Sequence, residues 1–329
     1  MKTIFLLSGE HTDIAKAEVE ALFGRTKSIS ERVLIHDIAK PIAKAKTKMS
    51  FTQLAYTKSV SQVLFKTTAK NLIKKINSYP WNKVYKKNFC VRINNISQKP
   101  VPKEFEMADL IWKKLKNPVT QLTGPETLIQ FIFVNNEVYC GKTIFINEEQ
   151  FHKRQPHMRP EFSPISLNPK LARAMVNLTG IKDKKDVLID PFCGTAGILL
   201  EASIMGFRSI GYDIDENCLR KAKTNLEHFG IKNFSLKMLD STKKWPDKAK
   251  YIVADLPYGK SAKLSDEKTK LYREFLENLK RMKIKRAVIS FPTSYDYIPL
   301  IKKSKLKVKN QFDYYIHKSM TKKILVLSA

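Results

Sequence analysis

The stretch from Asp186 to Glu201, Asp-Val-Leu-Ile-Asp-Pro-Phe-Cys-Gly-Thr-Ala-Gly-Ile-Leu-Leu-Glu, constrains this chain more than any other. Its apolar start, 186–190, reads as a short buried strand, and the run from Gly197 reads as the first turns of a helix. A strand, a small-residue turn and a helix N-terminus together form a site for a hydroxyl-bearing or anionic ligand. The Gly-x-Gly-x-x-Gly spacing of a dinucleotide turn is absent, because the glycines here are only Gly194 and Gly197. An acidic residue, Asp190, closes the strand instead. A carboxylate there repels a pyrophosphate and suits a ligand carrying an ammonium or sulfonium group. The turn, with Cys193, Gly194 and Thr195 against the ligand, points to S-adenosylmethionine rather than NAD. The competing reading is a tight connection inside an ordinary α/β domain, and two later features weigh against it.

Some twenty residues on, Phe207–Asp213 reads as a second strand ending in acid. A carboxylate at that position takes both ribose hydroxyls of a nucleoside cofactor. Asp213 is the candidate, with Ile214 against the adenine, while Asp215 reads as the N-cap of the helix that follows. Past the third strand, Asp240 and Ser241 are candidates for the adenine amine, with an ordinary N-cap as the equal alternative. The third feature is Tyr251-Ile-Val-Ala-Asp-Leu-Pro-Tyr-Gly259, an apolar strand running into Asp255-Leu256-Pro257-Tyr258. It resembles the Asp/Asn-Pro-Pro-Tyr/Phe element of methyltransferases that act on exocyclic amines of bases. An arylamine lone pair is delocalised into its ring and is a poor nucleophile. A carboxylate (Asp255) and a backbone carbonyl (Leu256 or Pro257) accept its two N–H bonds and draw the nitrogen toward sp³ geometry. Tyr258 stacks on the extruded base. Asp255 is expected to be ionised with an ordinary aspartate pKa, about 3.9.

The strands at 186–190, 208–213, 234–238, 251–255 and 286–291 alternate with helical segments, the pattern of a doubly wound α/β sheet. The tail, 307–317 and 322–327, reads as a final antiparallel pair. Upstream, a strand at 3–7, a helix over 12–23, a strand at 32–36, a short helix at 51–56, a strand from Ser59 and a helix over 69–76 follow one another. A strand at 89–96, a helix over 103–116 and strands at 127–134 and 137–141 complete an α+β half. Residues 149–163 hold two prolines and two histidines without periodicity and read as an interdomain linker. That setting makes a metal site at His152 and His157 a poor reading. Pro164 to Leu178 opens a helix that covers the cofactor's methionine end.

Lys and Arg outnumber Asp and Glu by 60 to 31, a net charge of +29, which calls for a polyanionic partner, nucleic acid in the usual case. The four cysteines, Cys90, Cys140, Cys193 and Cys218, contain no Cys-x-x-Cys pair and argue against zinc and a disulfide framework. No stretch approaches eighteen apolar residues, so a soluble, cytoplasmic protein without a membrane partner is expected.

The chain resembles the archaeal tRNA guanosine-10 N2-methyltransferases, relatives of the eukaryotic Trm-eleven catalytic subunit. The resemblance rests on 157–178, on Asp190–Glu201, on 211–215, on Asp255–Lys260 and on 317–323, and it covers the C-terminal half more closely than the N-terminal one. It implies a ferredoxin-like part over 1–48, a THUMP RNA-binding domain over 49–148, a linker and a class I, Rossmann-like methyltransferase domain over 164–329. It also implies a tRNA partner, methyl transfer from S-adenosylmethionine to N2, a monomer, and a small zinc-binding activator subunit as in relatives. The chain departs from the family at Leu256, where proline is usual, at Ala196, where many relatives have glycine, and at Lys260, where arginine is common. An amino-methyltransferase of another RNA or DNA base and a non-catalytic tRNA-binding protein are the alternatives. A thiolation enzyme is excluded by the lack of a Ser-Gly-Gly-x-Asp-Ser loop.

Overall fold

The computed structural model describes residues 2–37, 51–163, 166–248, 250–257, 266–292, 296–317 and 320–329. The chain divides into two compact units. One comprises Met1–Lys16, Phe23–Thr52 and Tyr56–Glu148; the other comprises Ala17–Leu22, Gln53–Ala55 and Glu149–Ala329.

In the first unit, β1 (Lys2–Leu7), β2 (Lys27–Ser30), β3 (Val33–Asp37), β4 (Thr57–Thr68), β5 (Phe89–Asn95), β6 (Thr127–Val134) and β7 (Glu137–Ile146) form one sheet. Its order is β2-β3-β1-β4-β7-β6-β5. The helices described up to residue 148 are α1 (Thr12–Phe23), whose residues are divided between the two units, α2 (Leu72–Ser78) and α3 (Glu104–Trp112). β4 pairs antiparallel with both β1 and β7, so the break drawn at residue 48 does not separate two sheets. Only β5 and β6 run parallel, as the intervening α3 crossover requires. The β6–β7 turn is closed by Asn135 at φ 54°, a left-handed conformation that asparagine tolerates. Phe65, Trp81, Phe89 and Phe131 pack the core under α2 and α3, and the buried Trp81 indole donates to the carbonyl of Ile76 at 2.8 Å. The helix expected over 51–56 is not there: Phe51 is helical, and the residues after it form turns and bends. The lysine-rich stretch 40–48 lies outside the described residues.

The second unit carries β8 (Val187–Asp190), β9 (Arg208–Asp213), β10 (Phe234–Met238), β11 (Tyr251–Asp255), β12 (Arg286–Pro292), β13 (Lys307–His317) and β14 (Met320–Ser328). The sheet order is β10-β9-β8-β11-β12-β14-β13. β8 to β12 are parallel, and β14 lies antiparallel between β12 and β13. Helices α4 (Pro169–Leu178), α5 (Gly197–Ile204), α6 (Glu216–His228), α7 (Asp266–Arg281) and α8 (Ile298–Ser304) accompany it. This is the class I methyltransferase, Rossmann-like α/β arrangement with an antiparallel last strand. The central strands read as unbroken apolar runs because both faces are covered. Ile189, Ile210, Ile252, Ala254 and Ile289 are all within 3% of full burial. The chain reverses its direction of growth at β8 and β11, and a crevice opens there outside the strands' carboxyl ends.

Two local expectations are corrected. The helix foreseen from Pro164 begins at Pro169, capped by Asn168, whose side chain accepts the Lys170 N–H at 2.8 Å; a proline at the first helical position needs no partner for the N–H it lacks. The segment read as a linker is built into the second unit. Arg154 donates to Glu201 at 2.7 Å and to Glu149 at 2.9 Å, and Arg173 reaches Glu201 at 2.9 Å. The ring of Phe151 lies 5.2 Å from the Arg154 guanidinium and 4.9 Å from that of Arg173. Asn225 on α6 clamps both the N–H and the carbonyl of Glu161 at 3.0 Å. Prolines and missing periodicity signal irregular backbone, not exposure; the buried Glu201 supplies what the arginines need.

Candidate active site

Three aspartates end three neighbouring parallel strands: Asp190 on β8, Asp213 on β9 and Asp255 on β11. They open onto one cavity of about 580 Å³. Cys193, Gly194, Thr195, Ile214, Asp240 and Ser241 line it too, as does Pro257. The sheet order makes this convergence possible, because β8 lies between β9 and β11.

The turn after β8 is shaped by backbone bonds. The Cys193 N–H reaches the carbonyl of Tyr212 at 2.9 Å, and the Gly194 N–H reaches Asp213 Oδ2 at 2.9 Å. Gly194 has φ 48° and open space where a Cβ would sit. At Gly211 the opposite holds: a Cβ there would lie 2.5 Å from Leu199 and 2.8 Å from the Cys193 sulfur, so glycine is what lets the turn close on β9. Ala196 caps α5 in the left-handed region at φ 69°, where glycine carries no penalty. Thr195 is committed within the protein, its hydroxyl 2.9 Å from that of Ser166 and its carbonyl accepting from Asn225.

Asp213 accepts the Asp215 N–H on Oδ1 at 3.0 Å and the Gly194 N–H on Oδ2. A carboxylate oxygen accepts two bonds, so each retains a lone pair for a ligand hydroxyl. Beside it, Ile214 is 73% exposed, an apolar side chain at the cavity with no core to cover it. Asp215 caps α6 through the Asn217 N–H at 2.8 Å. Asp240 spends Oδ1 on the N–H and hydroxyl of Thr242. The Ser241 hydroxyl is buried and donates to the Pro191 carbonyl, so its proton is committed to holding the loop.

Asp190 is 1% exposed, and Phe192 donates its N–H to it at 3.1 Å. Burial pushes its pKa well above the usual carboxylate range; the Phe192 bond opposes this, and the nearby Asp255 and Asp213 charges add to it. A cation in the cavity would relieve that cost, because burying like-charged carboxylates together disfavours their ionised forms. The donor set thus fits S-adenosylmethionine: lone pairs for ribose hydroxyls, an apolar surface for adenine and carboxylates for positive charge.

Asp255 departs from the sequence expectation of an ordinary aspartate. Burial pushes its pKa up, and the Lys322 ammonium opposes the rise. Lys322, on β14, is 2% exposed and donates to both carboxylate oxygens, at 2.8 and 2.6 Å. Asp255 pairs with Ser290 on β12, Ser290 with Ile324, and Pro292 with Lys322, so the lysine reaches across an intervening strand. Leu256 is fully buried and bonds back to the Ser290 carbonyl at 3.2 Å through its own N–H. The Pro257 carbonyl accepts the Tyr272 hydroxyl at 2.7 Å. Tyr258 lies outside the described residues, as does Lys260. Sequence reasoning missed Lys322 and Tyr272. The signal for the lysine was present: Lys322 and Lys323 sit in an otherwise apolar strand, Met-Thr-Lys-Lys-Ile-Leu-Val-Leu, and alternation sends them to opposite faces. With both faces covered, a buried lysine there needs an acid.

The UPF0020 family, described as RMKL-like, methyltransferase domain, matches residues 156–322. Over 336 residues, covering 99% of both chains, the protein is 32% identical to the tRNA (guanine(10)-N2)-dimethyltransferase of Methanothermobacter thermautotrophicus. The Pyrococcus abyssi protein of the same name is 29% identical over 96% of both chains. Among solved structures, TrmN from Thermus thermophilus superposes with a TM-score of 0.54 at 16% identity, over 100% of this chain and 99% of its own. SMU.472, solved in complex with SAH, superposes at 0.52 with 15% identity, over 100% of this chain and 98% of its own. At such identities these two structures speak to the fold.

Proposed function

The chain belongs to the tRNA (guanine(10)-N2)-dimethyltransferase family and is an S-adenosylmethionine-dependent methyltransferase, and from that premise we propose that it methylates N2 of guanosine 10 in tRNA through Asp255. The observation that carries this reading is the opening of Asp255 onto the same cavity as Asp190 and Asp213. The acceptor carboxylate and the cofactor carboxylates thereby share one cavity.

S-adenosylmethionine supplies an electrophilic methyl group when bound. The protein's part is to hold the reactants and to make the amine nucleophilic. Asp213 takes the ribose hydroxyls, Ile214 covers the adenine, and Asp190 with the turn at Cys193, Gly194 and Thr195 faces the charged end. Asp255 accepts one N–H of the guanine amine. The carbonyl of Leu256 or Pro257 accepts the other; Pro257 lines the cavity, and its carbonyl keeps a second lone pair beside the bond from Tyr272. Leu256 in place of the family's usual proline keeps its own carbonyl, and its buried side chain anchors it. Asp255 also stabilises the positive charge that grows on nitrogen, so its effect belongs largely to the transition state. A monomethylated amine retains one N–H, enough for Asp255 to orient it for a second transfer. Tyr258 stacks on the base in this reading.

Residues 1–148 hold the tRNA in this reading, and the surplus of 29 positive charges supports a polyanionic partner. The protein works as a monomer in the cytoplasm. Labelled S-adenosylmethionine and unmodified tRNA, followed by digestion to nucleosides, test the reading. Methylguanosine and dimethylguanosine are expected, and none from a transcript with inosine at position 10, which lacks the amine. Methylation of that transcript, or of adenosine, overturns the assignment. Activity of the purified chain alone decides whether a zinc-binding activator subunit is needed.

A further inference from the structure

We propose that Lys322 is a positioning residue for methyl transfer: it holds Asp255 by both oxygens as an acceptor-only carboxylate presented to the substrate amine. The inference rests on Asp255 serving as the amine acceptor.

The geometry carries it. Lys322 Nζ donates to Asp255 Oδ1 at 2.8 Å and Oδ2 at 2.6 Å, distances typical of charge-assisted bonds. The lysine side chain is 2% exposed and that of the aspartate 14%. The ammonium is thus sealed behind the carboxylate, and the carboxylate alone faces the cavity. Two bonds from one side fix the rotation of the carboxylate plane. An acceptor-only group suits an amine that has only N–H bonds to offer.

The charged surroundings explain why a lysine is needed. Asp190, at the end of the adjacent β8, opens onto the same cavity, and burial is what raises the pKa of Asp255. Lys270 and Glu274 reach the cavity from α7 and are set against each other at 4.0 Å. Lys323, the next residue on β14, is paired with Asp313 on β13. Lys322 is therefore the cation in direct contact with Asp255 among the described residues. In its absence, burial favours the protonated carboxyl, which donates a hydrogen bond where the amine needs an acceptor.

Single-turnover methyl transfer by the full chain, measured across pH, tests the proposal with Lys322→Met, Lys322→Arg and Asp255→Asn. For Lys322→Met a rate loss of about 10–100-fold at neutral pH is expected, the worth of a hydrogen bond to a charged group. The acid limb of its rate profile should move to higher pH, with cofactor affinity by calorimetry unchanged. Lys322→Arg keeps the charge and should retain the wild-type limb and most of the rate. An unshifted limb in Lys322→Met, or a loss confined to cofactor or tRNA affinity, overturns the proposal. If the methionine variant does not fold, the arginine variant decides: a folded, cofactor-binding Lys322→Arg whose limb shifts or whose rate collapses also overturns it. An active Asp255→Asn would sink the amine-acceptor reading itself. An inactive Asp255→Asn beside an undisturbed Lys322→Met would sink only the role of the lysine.

Discussion

Asp213 and Asp255 end neighbouring stretches of one sheet and open onto one cavity, yet they are held by different means. Asp213 is fixed by two backbone N–H groups, one from the turn after β8 and one from the residue two places on. Asp255 is fixed by a side chain, Lys322, that lies 67 residues away in sequence. Backbone donors carry no net charge and are lost only on substitution to proline, so most side-chain changes beside Asp213 leave its two partners in place. The acceptor half depends on one ion pair in a dry place, where removing either partner leaves a buried charge. Such a pair is costly to disturb, and it sets whether Asp255 acts as acceptor or donor.

The largest expected effect of breaking this contrast comes from Asp255→Asn. Turnover should fall at least ~10²-fold, on the order of 3 kcal/mol, in single-turnover assays. Cofactor affinity should change little. The variant should also melt earlier than wild type, because Lys322 is left buried without its counter-charge, and Asp255→Asn with Lys322→Met should regain that stability without regaining the rate. Near wild-type transfer by Asp255→Asn would mean that the chemistry lies elsewhere.

Asp213→Ala acts on the other half. Two hydrogen bonds to a charged acceptor are worth about 1.5–3 kcal/mol each, so calorimetry should find cofactor affinity lower by about 10²-fold or more. Turnover at saturating cofactor should recover to within about 10-fold of wild type. Undiminished binding would remove Asp213 from the ribose.

Gly211→Ala strikes the frame rather than the ligand contacts. The new methyl meets Leu199 at 2.5 Å, Cys193 at 2.8 Å and Leu236 at 2.9 Å. Overpacking of this kind costs about 1–3 kcal/mol, readable as a lower urea midpoint. Because the Cys193 turn must shift, cofactor affinity should weaken with it, while the Asp255–Lys322 pair stays in place. A variant as stable as wild type would show that the turn and β9 are less tightly joined than these distances require.

The smallest effect is expected at Ala196. An alanine in the left-handed region costs about 1–2 kcal/mol, and the added freedom of glycine in the unfolded chain returns about 0.4–1 kcal/mol of that. Ala196→Gly should therefore raise stability by up to about 1 kcal/mol at an unchanged denaturant slope, with the methylation rate untouched. A lower midpoint would mean that the buried methyl of Ala196 contributes more through packing than its backbone loses.

What was legible in the sequence follows the same division. The positions of Asp190, Cys193–Thr195, Asp213 and Ile214 at strand ends and in turns could be read, because those depend on residues a few places apart. The parallel strands of the second unit could be read for a related reason: strands buried on both faces appear as continuous apolar runs. Asp255-Leu256-Pro257 was legible as a motif. Its electrostatic state was not, since the ordinary pKa expected from sequence ignored both the burial and the lysine on β14. Ser241 is the counterpart: its hydroxyl belongs to the Pro191 carbonyl, 50 residues away, and no local pattern announces that. The segment 149–163 failed as a linker because Arg154, without any periodicity around it, still finds the buried Glu201, and Phe151 lies against Arg154 and against Arg173 of α4. The sheet in the first unit, which joins β4 to strands on both sides of residue 48, could not be read from composition either.

By itself the sequence determined most of the elements, the order of the three acidic strand ends and the residue chemistry that each end presents. These follow from hydrophobic period, turn residues and residue chemistry, all short-range properties of the chain. Tertiary structure alone decided that the three carboxylates share one cavity, that Asp255 is held by Lys322, and which polar side chains remain for a ligand after the protein's own bonds are made. Those are questions of burial and of partners brought together from distant positions, and the free energy of a charge depends on them far more than on its neighbours in sequence.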